Sequence, residues 1–88
     1  MSILEESFTT SINLINNLKI KPNNDELLDI YKYFKQAKFG DNNSQKPFIL
    51  NFKDSSKWSA WNSIKGMEKK EAMEKYIDLA IALVNKYK

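Results

Sequence analysis

The chain has 88 residues, 42% of them hydrophobic and 28% charged. This is the composition of one soluble globular domain, small enough to bury only roughly 60 to 65% of its unfolded surface. It has no histidine and no cysteine, which removes the commonest general base, the commonest metal ligand, thiolate nucleophiles and disulfides, and argues against catalysis and against a metal centre. The net charge of +3 is unevenly spread: between Tyr31 and Lys57, Lys32, Lys35, Lys38, Lys46, Lys53 and Lys57 stand against Asp41 and Asp54, while elsewhere eight lysines meet nine acids. The central stretch therefore carries the basic excess and attracts anions. All fourteen cations are lysine, which weakens any case for bidentate base readout in nucleic acid.

Ser2 and Glu5 have the spacing of a capping box, so the first helix is expected to begin there. Leu4, Phe8, Ile12, Ile15 and Leu18 recur at helical spacing and predict an apolar stripe along roughly five turns. Lys19 and Lys21 then complement the C-terminal dipole, and Pro22 prevents continuation. Glu5 and Glu6 interrupt the early apolar residues, which leaves no secretory signature, and no stretch approaches the roughly 20 apolar residues of a membrane span. A soluble, cytoplasmic chain without stable membrane insertion is expected.

Asn23 or Asn24 can cap a second helix with Asp25 and Glu26 in its first turn, and Gly40 stops it. Leu27, Leu28, Ile30, Tyr31, Phe34 and Ala37 cover more than one narrow stripe, so this helix is expected to be the most enclosed and to touch two neighbours. Residues 39–53 gather turn formers, Gly40, Asp41, Asn42, Asn43, Ser44 and Pro47, before the apolar run Phe48, Ile49, Leu50 and Phe52. A strand there would have no partner, so an ordered loop pinned by its apolar side chains is expected instead. Its length exceeds the roughly 2 to 8 residues of ordinary bundle connections, itself a hint of function. A third helix is expected from Asp54 or Ser55 to Gly66, with Trp58, Trp61 and Ile64 as its apolar side. The fourth carries Met73, Tyr76, Ile77, Ala80, Leu83, Val84 and Tyr87, with acids early and lysines late. The prediction is all-α: one four-helix bundle with a long ordered loop between helices 2 and 3.

Three sets of residues offer chemistry. Lys35 and Lys57, with Tyr31, can form a phosphate pocket of two ammonium groups and a phenol, or the lysines can simply snorkel from an apolar stripe into water. Trp58 and Trp61 with Phe34 and Tyr33 can stack on a ring, or can be core. Leu27 and Leu28 with the polar face of the first helix can bound a groove for an apolar ligand, or can be helix packing. Glu68, Glu71, Glu74 and Asp78 read as a solvated helix face rather than as acid-base or metal-binding groups.

At YKYFKQAKFGD, followed by KPFILNFKDSSKWSAWNSIKG and then EAMEKYIDLA, the chain resembles the acyl-CoA-binding protein family over essentially its whole length. The motifs FKQAKFGD and KWSAWNSIKG at this separation are the specific part of the likeness. The resemblance implies four helices around a bowl-shaped site for long-chain fatty acyl-CoA, which is carried and sheltered without being transformed. Carried over position by position, it gives Tyr31, Lys35 and Lys57 to the 3′-phosphate and adenine end of CoA, with Tyr76 closing the same pocket. Leu27 and Leu28 would lie along the acyl chain, and Phe8, Ser11, Ile12 and Ile15 would supply the first-helix wall. Phe34 replaces the usual tyrosine of that groove, Asn16 stands where lysine is frequent, and Glu68 takes the place of a serine or threonine cap.

The expectation is thus a single acyl-CoA-binding domain over residues 1–88, a cytoplasmic monomer that needs no cofactor and no metal, takes no nucleic-acid partner and is not an enzyme. The alternative is a helical module that binds a protein or nucleic acid through the central basic patch.

Overall fold

The computed structural model describes residues 2–48 and 51–88. It contains four helices: α1 (Ile3–Asn16), α2 (Asn24–Phe39), α3 (Phe52–Asn62) and α4 (Lys69–Lys86), with no strand among the described residues. The all-α four-helix architecture expected from the sequence is the observed one.

Local chemistry sets each boundary. The Ser2 hydroxyl oxygen accepts the Glu5 amide at 3.1 Å, but the Glu5 carboxylate takes the serine hydroxyl rather than a backbone donor, so only half of the expected box forms. The reciprocal box is at α2, where the Asn23 side chain accepts the Glu26 amide and Glu26 accepts the Asn23 amide, both at 2.9 Å. α1 ends at Asn16, short of the expected five turns, and Lys19 and Lys21 lie beyond its last turn. The Asn17 side-chain amide donates to the Asn13 carbonyl at 2.8 Å, a local bond that competes with helix continuation. α3 starts two to three residues earlier than expected because Asn51 is its cap, accepting from the Asp54 amide and donating to the Asp54 carboxylate at 2.7 Å. It ends at Asn62, with turns continuing to Gly66, whose φ of 96° suits glycine. Glu68 precedes α4 without a side-chain cap bond.

The helices pack in the order α1, α4, α2, α3, each against the next. Ala37 of α2 and Ala72 and Ala80 of α4 belong to one buried cluster that also holds Phe8 and Tyr76; small residues let helix backbones approach closely. α2 is the most enclosed helix, as expected, with only Asn24, Asp25, Lys38 and Phe39 exposed, although α4 holds more fully buried side chains, four against two; it packs on α3 and α4, and its Phe34 also reaches Phe8 of α1. The molecule measures 35 × 29 × 15 Å, and a body this thin encloses few side chains completely. It exposes 6243 Å², above the about 5,400 Å² of a typical folded monomer of this size, as an open, concave shape requires.

The connection between α2 and α3 is held differently from expectation. Phe48 and Phe52 are 89% and 80% exposed and pin nothing; Ile49 and Leu50 lie outside the described residues. Polar groups fasten the segment instead. Buried Asn42 accepts the Ser44 amide at 2.9 Å and donates to the Trp58 carbonyl at 3.4 Å, and the Trp58 indole donates to the Ser44 carbonyl at 3.0 Å. Behind it Gln36, wholly buried, donates to the Met67 carbonyl at 2.7 Å and to Asp41 at 3.0 Å, and accepts from the Trp61 indole at 3.1 Å. Asp41 also accepts the Gly66 amide at 2.7 Å. These bonds hold its carboxyl below the usual range, chiefly through the Gly66 amide and then Gln36. At the opposite end Glu26 accepts from Lys86 at 2.7 Å and from the Tyr87 hydroxyl, joining the start of α2 to the end of α4.

Candidate ligand site

Two adjoining hollows open on the α2–α3 face. The larger, about 410 Å³, has an apolar part, Leu27, Leu28 and Phe52, and a polar part that includes Lys21, Lys53 and Lys57. The smaller, about 190 Å³, is bounded by Tyr31, Trp58, Trp61 and Lys57 together with Asp54 and the 44–47 segment. Lys57 lines both. An alkyl chain fits the first environment and an anionic, ring-bearing group fits the second.

The charged end is built by helical spacing. Tyr31 and Lys35 lie one turn apart on α2, and Lys57 approaches from α3: the Lys57 ammonium is 5.4 Å from the centre of the Tyr31 ring and that of Lys35 is 5.9 Å from it. Partial burial, and then the Asp54 charge, raise the Tyr31 phenol above its ordinary value of 10.0. It therefore stays protonated and able to donate a hydrogen bond near neutral pH.

The predicted residues separate into two groups. Tyr31, Lys35 and Lys57 come together at the open face, and Leu27 and Leu28 line the groove beside them. Phe8, Phe34 and Tyr76 also come together, but in the interior: the Phe8 ring is 6.3 Å from Phe34 and meets Tyr76 edge-on at 5.1 Å. Burial pushes the Tyr76 phenol up to about 12. Ser11 is buried with its hydroxyl donating to the Ser7 carbonyl at 2.8 Å, and Ile12 and Ile15 pack against the same core. The wall opposite Leu27 and Leu28 is supplied by Phe52, Lys53, Ser56 and Lys57 of α3, not by the polar face of α1.

Of the aromatic set Trp58, Trp61, Phe34 and Tyr33, only the two tryptophans come together, at the smaller hollow. Phe34 points to the core, Tyr33 lies under Lys32, and the two indoles are fixed by separate hydrogen bonds. Sequence reasoning missed Lys21, Asn24, Phe52, Lys53 and Ser56 as lining residues. Lys21 had an adequate explanation as a dipole partner, and Phe52 was masked by an apolar run that suggested a pinned loop. Glu68, Glu71, Glu74 and Asp78 are exposed as expected, and the described residues contain no group of three or more ligating side chains able to hold a metal.

Fold and site together define a small all-α ligand-binding domain with an apolar groove running into a basic, aromatic pocket. The family model described as "Acyl CoA binding protein" matches residues 5–80. The chain is 41% identical to the acyl-CoA-binding protein of Saccharomyces cerevisiae over 85 residues, covering 97% of this chain and 98% of that one. The crystal structure of Oryza sativa acyl-CoA-binding protein 2 superposes with a TM-score of 0.89 at 34% identity, over 94% of this chain and 92% of the other. The solution structure of the yeast acyl coenzyme A binding protein gives 0.71 at 42% identity over 98% and 95% of the two chains. The chain belongs to the acyl-CoA-binding protein family.

Proposed function

We propose that the protein binds long-chain fatty acyl-CoA thioesters and carries them without transforming them. Family membership supports acyl-CoA binding and the carrier role. The observation that bears most on mechanism is the place of Lys57, which borders both the apolar groove and the pocket beside Tyr31. A ligand with an alkyl tail and a polyanionic head can span the two, with one ammonium at their junction.

In this reading Leu27 and Leu28 lie along the acyl chain, and Tyr31, Lys35 and Lys57 bind the 3′-phosphate and adenine end. Tyr76, Phe8, Ser11, Ile12, Ile15 and Phe34 act from behind, as the packed wall against which α2 is held; Tyr76 closes the nucleotide pocket from that side. Each methylene removed from water is worth roughly 0.8 kcal/mol, so the tail supplies affinity while the phosphates orient and steer. The absence of histidine and cysteine supports a carrier rather than an enzyme, since the usual bases and thiol nucleophiles for thioester chemistry are missing. The reading takes residues 1–88 as one acyl-CoA-binding domain, a cytoplasmic monomer with no nucleic-acid partner. No helix among the described residues is long and apolar enough to cross a membrane.

Calorimetric titration with a long-chain acyl-CoA, free CoA and the matching fatty acid under one salt condition tests it. Tight binding of the thioester with much weaker binding of either half is expected. Equal, weak binding of all three would remove the two-ended site and turn attention to the interaction-module alternative.

A further inference from the structure

Phe39, the last residue of α2, is 62% exposed. Burial therefore explains little of its placement. Its ring lies against the Lys35 ammonium, 4.4 Å from ring centre to Nζ, and the Trp61 ring lies 4.9 Å from the same nitrogen. With Tyr31 at 5.9 Å, three aromatic faces surround one ammonium group. No carboxylate among the described residues pairs with it.

The cage is itself oriented. The Trp61 indole donates to the Gly40 carbonyl at 2.9 Å and to the Gln36 side chain at 3.1 Å, and Gln36 is wholly buried. Phe39 rests against that fixed indole with ring centres 6.5 Å apart. A lysine carries its charge on a flexible four-carbon stem, and among neighbouring lysines the ammonium spreads into water unless something holds it. Aromatic faces attract a cation without neutralising it, so they fix direction while leaving the charge free for an anion.

We propose that Phe39 is a positioning residue for ligand binding: with Trp61 it holds the Lys35 ammonium near Tyr31 and Trp61, two residues that border the smaller hollow, so that it meets a phosphate group already ordered. The inference rests on the assignment of Lys35 to the 3′-phosphate of CoA. Pre-organisation of this kind raises affinity by removing an ordering cost, and it acts only on the ligand group that Lys35 touches.

The test measures, for wild type, Phe39→Leu, Phe39→Tyr and Lys35→Ala, the ratio of affinities for a long-chain acyl-CoA and its 3′-dephospho form. Lys35→Ala is expected to collapse the ratio, Phe39→Leu to lower it about 3- to 10-fold, and Phe39→Tyr to restore it. In the ligand-free protein the Lys35 Cε protons are expected upfield of those of other lysines, by ring currents, and to move back in Phe39→Leu. A wild-type ratio in Phe39→Leu beside a lowered ratio in Lys35→Ala would overturn the positioning role while leaving the phosphate assignment intact. Equal weakening of both ligands by Phe39→Leu would overturn it in favour of direct stacking on the base. An unchanged ratio in Lys35→Ala would overturn the phosphate assignment, and this inference with it.

Discussion

The two sides of α2 are held by different forces. Toward α4 and α1 it packs through Ala37 and Phe34 into a cluster with Phe8, Ala72, Tyr76 and Ala80, where apolar burial holds the helices together. Toward α3 no residue of the opposing helix is buried, and polar bonds fasten that side: the Trp61 indole to Gln36 and Gly40, Gln36 to the Met67 carbonyl beyond α3, and Asn42 and Trp58 between the connecting segment and α3. A domain this small has little apolar surface to spare. By fastening one side with polar bonds, it leaves Leu27, Leu28 and Phe52 uncommitted for an apolar ligand.

Substitutions on the two sides should therefore separate stability from binding. The largest effect is expected from Phe8→Ala, which removes the ring at the centre of the interior cluster and should lower unfolding free energy by about 3 to 5 kcal/mol in urea titrations. A loss below about 1 kcal/mol would mean that the interior cluster is not what holds α1 in place. Next, Lys57→Ala should weaken acyl-CoA binding by about 1.5 to 3 kcal/mol in calorimetry, as for a lost hydrogen bond to a charged group, while changing stability by less than about 0.5 kcal/mol. If it weakens both together, the open face is part of the fold's support and the contrast between the sides fails.

The smallest effect concerns the clasp on Glu26, which touches neither side of that contrast directly. Hydrogen bonds from Lys86, then Tyr87, then the Asn23 amide lower its carboxyl from an ordinary 4.5 to about 2. The unfolded chain thus takes up this proton more readily than the folded one, so the stabilisation is present above about pH 4.5 and is lost as pH falls toward 2. Asp41 acts in the same sense. Thermal unfolding followed from pH 6 to 2 should show a falling midpoint, and Glu26→Gln should flatten part of that slope; an unaltered slope would show that the clasp carries no linkage.

What was legible in the sequence follows the same division. The helices and most of their limits could be read because periodicity and caps are local: Asn23, Gly40 and the α4 stripe act within a few residues of themselves. Tyr31, Lys35 and Lys57 could be singled out because charge beside an apolar stripe is anomalous at sequence level. The support for the open face could not be read. Gln36 and Asn42 look like ordinary polar residues until partners 31 and 16 positions away face them, and no periodicity encodes that. Exposed Phe48 and Phe52 were misjudged for a related reason, since hydrophobicity predicts burial only where the fold supplies something to bury against. Phe39 escaped notice because its meaning lies in the direction of another side chain.

The Glu26 clasp also bears on how the chain acquires its shape. It ties a residue in the first turn of α2 to two residues 60 and 61 positions later. Without cysteine, this is a reversible closure of a ring that encloses α3 and nearly all of α2 and α4. The interior cluster likewise joins α1 to α4, the most distant helices in sequence. Contacts of such long separation slow folding, because the entropy of closing the intervening chain must be met before they return anything. During synthesis the first two helices can form locally, yet the core that steadies them must wait for α4. A nascent chain halted before α4 would present Phe8, Phe34 and Ala37 without their partners, a state to be shielded or degraded rather than one that can hold a ligand.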